Sequence, residues 1–184
     1  TLPADQCSRR GVGGAAQGSG HPRAPAAQRV IPAVEMNRPI FRRPVSVLIL
    51  VHTEAGDVLL LRRARPFDFW QSVTGSLADS ERHSDAAVRE LTEETGLSNE
   101  GTLSYSGLSR QFVIDPRWRH KYQPGVVENV EFEWRYRLDH AVPIRLHDAE
   151  HSEFCWCPID EAVARVWSWT NRAALEQLRL ELSL

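Results

Sequence analysis

The segment GSLADSERHSDAAVRELTEETGL, residues 75 to 97, constrains this chain more than any other stretch. It sets Glu81, Glu90, Glu93 and Glu94 between two glycines and places Arg89 among them. Ser84 is positioned to cap a helix running through Glu94, and Gly96 stands where a helix C-cap glycine is expected. At about 100° per residue, Glu90, Glu93 and Glu94 fall within roughly a 100° arc, with Ala87, Val88, Leu91 and Thr95 on the adjoining arc. One face can bury while the next presents carboxylates. Like charges at these spacings repel by roughly a few tenths of a kcal/mol per pair, so helix stability alone gives no reason for the arrangement. A divalent cation supplies one, and hard carboxylate oxygens suit Mg²⁺ or Mn²⁺ bridging to substrate phosphates. The alternative is a solvated acidic face, the commoner fate of an arbitrary acidic run.

The surrounding sequence sets the frame for that helix. PVSVLILVH and VLLLRR are β-branched and leucine-rich runs separated by TEAGD, which reads as a hairpin turn. FWQSVTG follows as a short strand ending at Gly75. Residues 103 to 114 and 128 to 138 read as further strands joined by the basic loop DPRWRHKYQPG, and EFCWCPI as the last strand. DEAVARV and NRAALEQLRLEL then form two helices, the second capped by Thr170 or Asn171. Strands and helices mix without strict alternation, so a sheet covered by helices is expected, in the α/β to α+β range. Residues 1 to 38, rich in Gly, Ala, Pro, Gln and Arg without periodicity, are expected to be a disordered extension ahead of one folded domain over residues 39 to 184. Met36 is the sole methionine, so translation is expected to begin there, with the upstream stretch a reading-frame extension or else a flexible tail.

Composition narrows the function classes. A formal net charge of −2 carries no overall basic field for a nucleic acid polymer or an anionic membrane, so an anionic ligand must be held locally. The longest apolar run is too short to cross a bilayer, and a cytoplasmic protein is expected. The odd cysteine count (Cys7, Cys155, Cys157) argues against a disulfide framework. Nothing in the sequence sets an oligomeric state.

The spacing of the acidic segment decides between its two readings. It fits G-x5-E-x7-R-E-U-x-E-E-x-G-U, with U aliphatic, at Gly75, Glu81, Arg89, Glu90, Leu91, Glu93, Glu94, Gly96 and Leu97. At typical residue frequencies the fixed letters would coincide about once in 10⁸ starting positions. The segment resembles the Nudix box, the signature of the Nudix hydrolases. That resemblance implies an αβα sandwich around a mixed sheet and hydrolysis of a diphosphate linkage. It implies Glu90, Glu93 and Glu94 as ligands of one or more Mg²⁺ and as the source of the base for an attacking water, with Arg89 and Glu81 pairing to fix the loop onto the helix.

The flanking stretches RRPVSVLIL, DFWQSVTGS, RHKYQPGVVEN and WSWTNRAALEQL resemble the branch of that family acting on dihydroneopterin triphosphate in folate biosynthesis, over about Phe41 to Leu178. The resemblance implies release of pyrophosphate from that small-molecule triphosphate. It carries over Arg42, Arg63, Thr74 and Ser168 as substrate contacts, Glu150 as a metal ligand outside the box, and residues 112 to 115 as lying near substrate. The same branch implies an alternative, a nucleotide-pool enzyme for substrates such as dATP. A non-catalytic nucleotide sensor would be expected to lose ligand glutamates, and all are kept. The six tryptophans could stack a ring or fill the core. The cluster Arg117, Arg119, His120 and Lys121 could attract phosphate or simply be solvated. The histidines show no ligand spacing, and no chemistry is assigned to them.

Overall fold

The apolar run beginning at Val45 forms strand β1 (Val45–Thr53) in the computed structural model, which describes residues 41–65 and 67–182. Val47, Ile49 and Val51 enter one core and Leu48 and Leu50 the other. Burial on both faces is why this strand is continuously apolar instead of alternating. Gly56, with φ of 90°, makes the turn into β2 (Asp57–Arg63) at a conformation that suits glycine. The Thr53 hydroxyl accepts from the Asp57 N–H to close it.

The remaining elements are β3 (Phe69–Gln71), β4 (Val73–Ser76), α1 (His83–Thr95), β5 (Thr102–Val113), a 3₁₀ turn (Arg119–Lys121), β6 (Glu128–Leu138), β7 (His151–Pro158), α2 (Ile159–Arg165) and α3 (Trp169–Glu181). They build a seven-stranded mixed sheet in the order β3-β2-β1-β6-β5, with β4 added to β1 and β7 to β2. The β1 and β6 strands run parallel, from Val45 opposite Val130 to Thr53 opposite Leu138; the named strand pairs otherwise run antiparallel. Helix α1 covers one face through Ala86, Ala87 and Leu91, and α2 and α3 cover the other through Ile159, Ala162, Ala174, Leu175 and Leu178. The result is the αβα sandwich expected from the sequence.

The stretch expected as one strand ending at Gly75 is broken at Ser72. Strands β1 and β2 pair beside their turn, with His52 opposite Val58, and then separate. The chain fills the gap as a wedge, β3 on β2 and β4 on β1, reversing at the fully buried Ser72. Asn171 on α3 pins the reversal: its Oδ1 accepts from the Ser72 N–H at 2.8 Å and its Nδ2 donates to the Ser72 hydroxyl at 2.9 Å.

Both expected helix caps are displaced. Helix α1 begins at His83 after an extended Arg82 with no side-chain cap, so Ser84 lies inside the first turn. The cause lies upstream, where Glu81 is tied to the Ala78 N–H and to Arg89 and fixes the chain before Ser84 is reached. Helix α3 is capped by Ser168, whose hydroxyl accepts from the Asn171 N–H at 3.1 Å, because Asn171 is committed to Ser72 and Thr170 is already in the first turn. Gly96 does end α1, in the left-handed conformation with φ of 74°. The expectations of a disordered extension over residues 1 to 38 and of a start at Met36 lie outside the described residues. The two described cysteines, Cys155 and Cys157, are free.

Candidate active site

The wedge sets the site by bringing β4 beneath the acidic face of α1. A Cβ on Gly75 would lie 1.8 Å from the Glu90 Cδ, so the box glycine is where the Glu90 carboxylate crosses the strand. Arg89 organises what surrounds it. Its Nε and Nη2 donate to the two oxygens of Glu81 at 2.8 and 2.9 Å, and Nη2 also reaches the Ser76 carbonyl. Its Nη1 donates to Glu90 at 2.7 Å and Glu93 at 3.1 Å. Glu81 in turn accepts from the Ala78 N–H, while Arg43 donates to the carbonyls of Ala78 and Glu81. The Arg89 guanidinium holds the Glu81 carboxyl below its ordinary range. Thus Arg89 and Glu81 lock the loop before α1 onto the helix and aim two glutamates.

The glutamates themselves sit in an electrostatically costly place. Burial pushes Glu90 up to about 7 against the pull of Arg89, with Glu94 and Glu93 adding to the rise. Glu94, only 3% exposed, is raised by burial as well. Its oxygens meet the Thr74 N–H at 3.3 Å and the His151 Nε2 at 3.1 Å. Glu150, in the turn just before β7, lies beside Glu94 and His151 and pairs with Arg63 at 3.1 Å. Glu90, Glu93, Glu94, Glu150 and His147 line one small cavity.

His151 is the residue that sequence reasoning missed. It is fully buried, its Nε2 contact with Glu94 is not aligned as a hydrogen bond, and Nδ1 has no partner either. Ligand atoms from Glu94, Glu150 and His151 all lie within 4.8 Å of one another. The imidazole lies 3.1 Å from Glu94 as an ion-pair partner, and with the two carboxylates it offers a donor set that can hold a cation. Its one sequence signal is adjacency to Glu150 at the head of a strand.

Beside this cluster opens a cleft of about 910 Å³, which shares Glu90 and Glu150 with the small cavity and is also lined by Arg89. Arg42, Arg63, Thr74 and Ser168 also line it, as do residues 112 to 115. Glu81 does not; it stands behind Arg89. The Thr74 hydroxyl accepts from Gln71 at 3.1 Å, and the Ser168 hydroxyl is engaged as the α3 cap although it borders the cleft. Of the basic loop, Arg117 is paired with Asp115 and lies 3.9 Å over the Phe67 ring, and Arg119 bonds the Ile114 carbonyl. Lys121 is different: burial and the neighbouring Arg42 and Arg63 lower its pKa, so three cations converge beside Glu150. Among the tryptophans, Trp118 and Trp167 stand in the cleft with Phe69, ring centroids 5.1 to 6.1 Å apart, whereas Trp134 belongs to the core under α1.

The chain belongs to the Nudix family: a NUDIX domain matches residues 42–178. It is an enzyme of that family, a pyrophosphohydrolase. It is 36% identical over 146 residues to dihydroneopterin triphosphate diphosphatase of Escherichia coli (strain K12), an overlap covering 77% of this chain and 96% of that protein. A Haemophilus influenzae protein of the same description is 32% identical over 147 residues, covering 77% and 91%. The solved Escherichia coli dihydroneopterin triphosphate pyrophosphohydrolase superposes with a TM-score of 0.72 at 36% identity over 77% of this chain and 99% of that one. A NUDIX hydrolase of Listeria monocytogenes shares the fold at 23% identity, with a TM-score of 0.64 over 77% and 97%. Nudix hydrolases generally use a divalent metal, and the Glu94, Glu150 and His151 group has the composition to hold one. Among the described residues no helix is long and apolar enough to cross a membrane.

Proposed function

We propose that this chain is a Mg²⁺-dependent pyrophosphohydrolase that converts dihydroneopterin triphosphate to the monophosphate and pyrophosphate, a step of folate biosynthesis in the cytoplasm. Residues 39–184 are the catalytic domain of this reading, and residues 1–38 are an extension that turnover does not need. The observation that carries it is the continuity of the acidic cluster with one large cleft whose far part is aromatic and polar. A triphosphate can lie at the acidic end while its ring occupies the other.

Glu90, Glu93, Glu94 and Glu150 are the ligands of the cation in this reading. A divalent cation held there would neutralise phosphate oxygens and lower the pKa of a bound water. Arg42 and Arg63 grip the remaining phosphate oxygens, and an arginine fork suits that task better than a point charge. Thr74 and Ser168 border the path of the chain of phosphates. Arg89, anchored by Glu81, holds Glu90 and Glu93 in register, and a glutamate of the set takes the proton from the water as it attacks phosphorus.

The test is metal-dependent turnover of the purified protein on dihydroneopterin triphosphate and dATP side by side. Pyrophosphate is the expected product, EDTA abolishes its release, and kcat/KM is higher for the pterin. A dATP value far above the pterin value replaces this assignment with the nucleotide-pool reading. Glu94→Gln is expected to lower kcat by orders of magnitude with an unchanged circular dichroism spectrum; unaltered turnover would place the reaction elsewhere.

A further inference from the structure

Strand β6 carries Asn129, Glu131 and Glu133 on one face, the face covered by α3. The three are buried, but the fold treats them differently. Glu133, with no exposure, is ion-paired to both Arg110 and Arg135. Glu131, two residues earlier and 7% exposed, has no ion pair, and its Oε2 has no hydrogen-bond partner. Asn129, 2% exposed, donates from Nδ2 to the Ser46 hydroxyl at 2.7 Å, and its Oδ1 is left without a partner. Both residues line the large cleft, on the same side as Thr170 and within the chamber walled by Phe69, Trp118 and Trp167.

Each stranded acceptor costs about 1–3 kcal/mol if nothing meets it. Both residues line one cleft, but the two unpaired oxygens are themselves closed off from solvent, so a ligand meets them only when the side chains turn toward it. Burial pushes the Glu131 carboxyl up to about 7, and the Thr170 hydroxyl and Arg110 offset that rise only in part. What the two acceptors lack is a planar ligand edge with several adjacent N–H donors.

We propose that Glu131, flanked by Asn129, reads the ring of the substrate by accepting from the ring N–H and exocyclic amino group of a 2-amino-4-oxo pyrimidine edge. A pterin and a guanine both present that edge. Adenine presents an acceptor nitrogen beside its amino group, which Glu131 repels once it is ionised, so the ring preference is read at pH 8, above the titration of this carboxyl. A site built on paired hydrogen bonds rejects the analogue that leaves its polar groups unmet, and this is where a triphosphate hydrolase gains selectivity that a phosphate cradle cannot give. The inference rests on the substrate reading above but names the group that enforces it.

The discriminating variant is Glu131→Gln, which keeps the shape and replaces one acceptor with a donor. Values of kcat/KM for dihydroneopterin triphosphate, dGTP and dATP are measured on both proteins with saturating Mg²⁺. The pterin-to-dATP and dGTP-to-dATP ratios are expected to fall together, on the order of 5- to 150-fold, mainly through KM. A parallel loss on all three substrates means a structural role and overturns the proposal, as does no change in either ratio. The substrate reading is judged separately, on the wild-type values alone, so the two can fail independently. A second measurement needs no variant: pterin should inhibit the wild type at least about tenfold more strongly than lumazine, which carries a 2-oxo in place of the 2-amino group. Equal inhibition refutes the edge contact.

Discussion

At the scale of single residues, the site is governed by close approaches and unmet charges. Gly75 is the sharpest case, since any side chain there occupies the space of the Glu90 carboxylate. Gly75→Ala should therefore move Glu90 by at least an ångström, and displacements of that size cost about 10²-fold in rate. Steady-state kcat/KM checks this, and a value within threefold of wild type would mean that Glu90 has no fixed position to lose. Glu131 gives a prediction about pH. Its folded-state pKa of about 7 lies above the ordinary carboxylate value, so the folded protein holds this proton more tightly than the unfolded chain. Its contribution to stability is full below the ordinary value and is lost as pH rises toward and through 7, at about 1.4 kcal/mol for each pH unit separating the folded and unfolded values. Glu131→Gln cannot titrate. The stability of this variant relative to wild type should rise between pH 5 and 8 in urea denaturation, and a flat difference would contradict the buried, unpaired carboxyl.

At the scale of elements, the wedge of β3 and β4 joins fold to function, and Asn171 holds it. Asn171→Ala removes both hydrogen bonds to Ser72 and strands a buried N–H, which costs about 1–3 kcal/mol. Gln71 and Thr74, on either side of the reversal, both line the cleft, so KM should rise with kcat less affected; a stability loss without any change in KM would separate the pin from the site. This wedge was not legible in the sequence. FWQSVTG has the composition of one strand, and nothing local marks Ser72 as a reversal because the cause is an asparagine 99 residues away. Helix α1 was legible in detail, since periodicity and the Gly96 cap are local signals, yet its start was misplaced by Ser84 because the competing anchor, Glu81 on Arg89, is a contact across a loop. Strand β6 was found at its correct bounds, but nothing in the sequence assigned its two faces. Helix α3 covers one of them, which is how Asn129, Glu131 and Glu133 came to be buried.

At the scale of the whole molecule, the acidic cluster is assembled from distant parts of the chain: α1 supplies carboxylates beside β4, while the head of β7, paired with β2, brings His151 and the preceding Glu150. The box residues were legible because they lie in one contiguous segment; His151 was not, because only the register of β7 brings it to Glu94. Assembling these groups opposes folding when no cation is present, since Glu90 and Glu94 are both raised by burial and Arg89 and Arg63 offset only part of the charge. A cation that binds the folded state alone reverses that penalty, by about 2.7 kcal/mol at a hundredfold excess over its Kd. Because Glu90 must give up a proton near pH 7 before it can act as a ligand, binding should strengthen as pH rises from 6 to 8. Thermal unfolding with Mg²⁺ or Mn²⁺ should therefore show an upward shift in Tm that is larger at pH 8 than at pH 6 and is reversed by EDTA. The shift should shrink in Glu150→Gln, which removes a ligand from the β7 side and leaves α1 intact. A shift of equal size in that variant and at both pH values would mean that the ion binds elsewhere on the surface, and that α1 and the head of β7 do not share it.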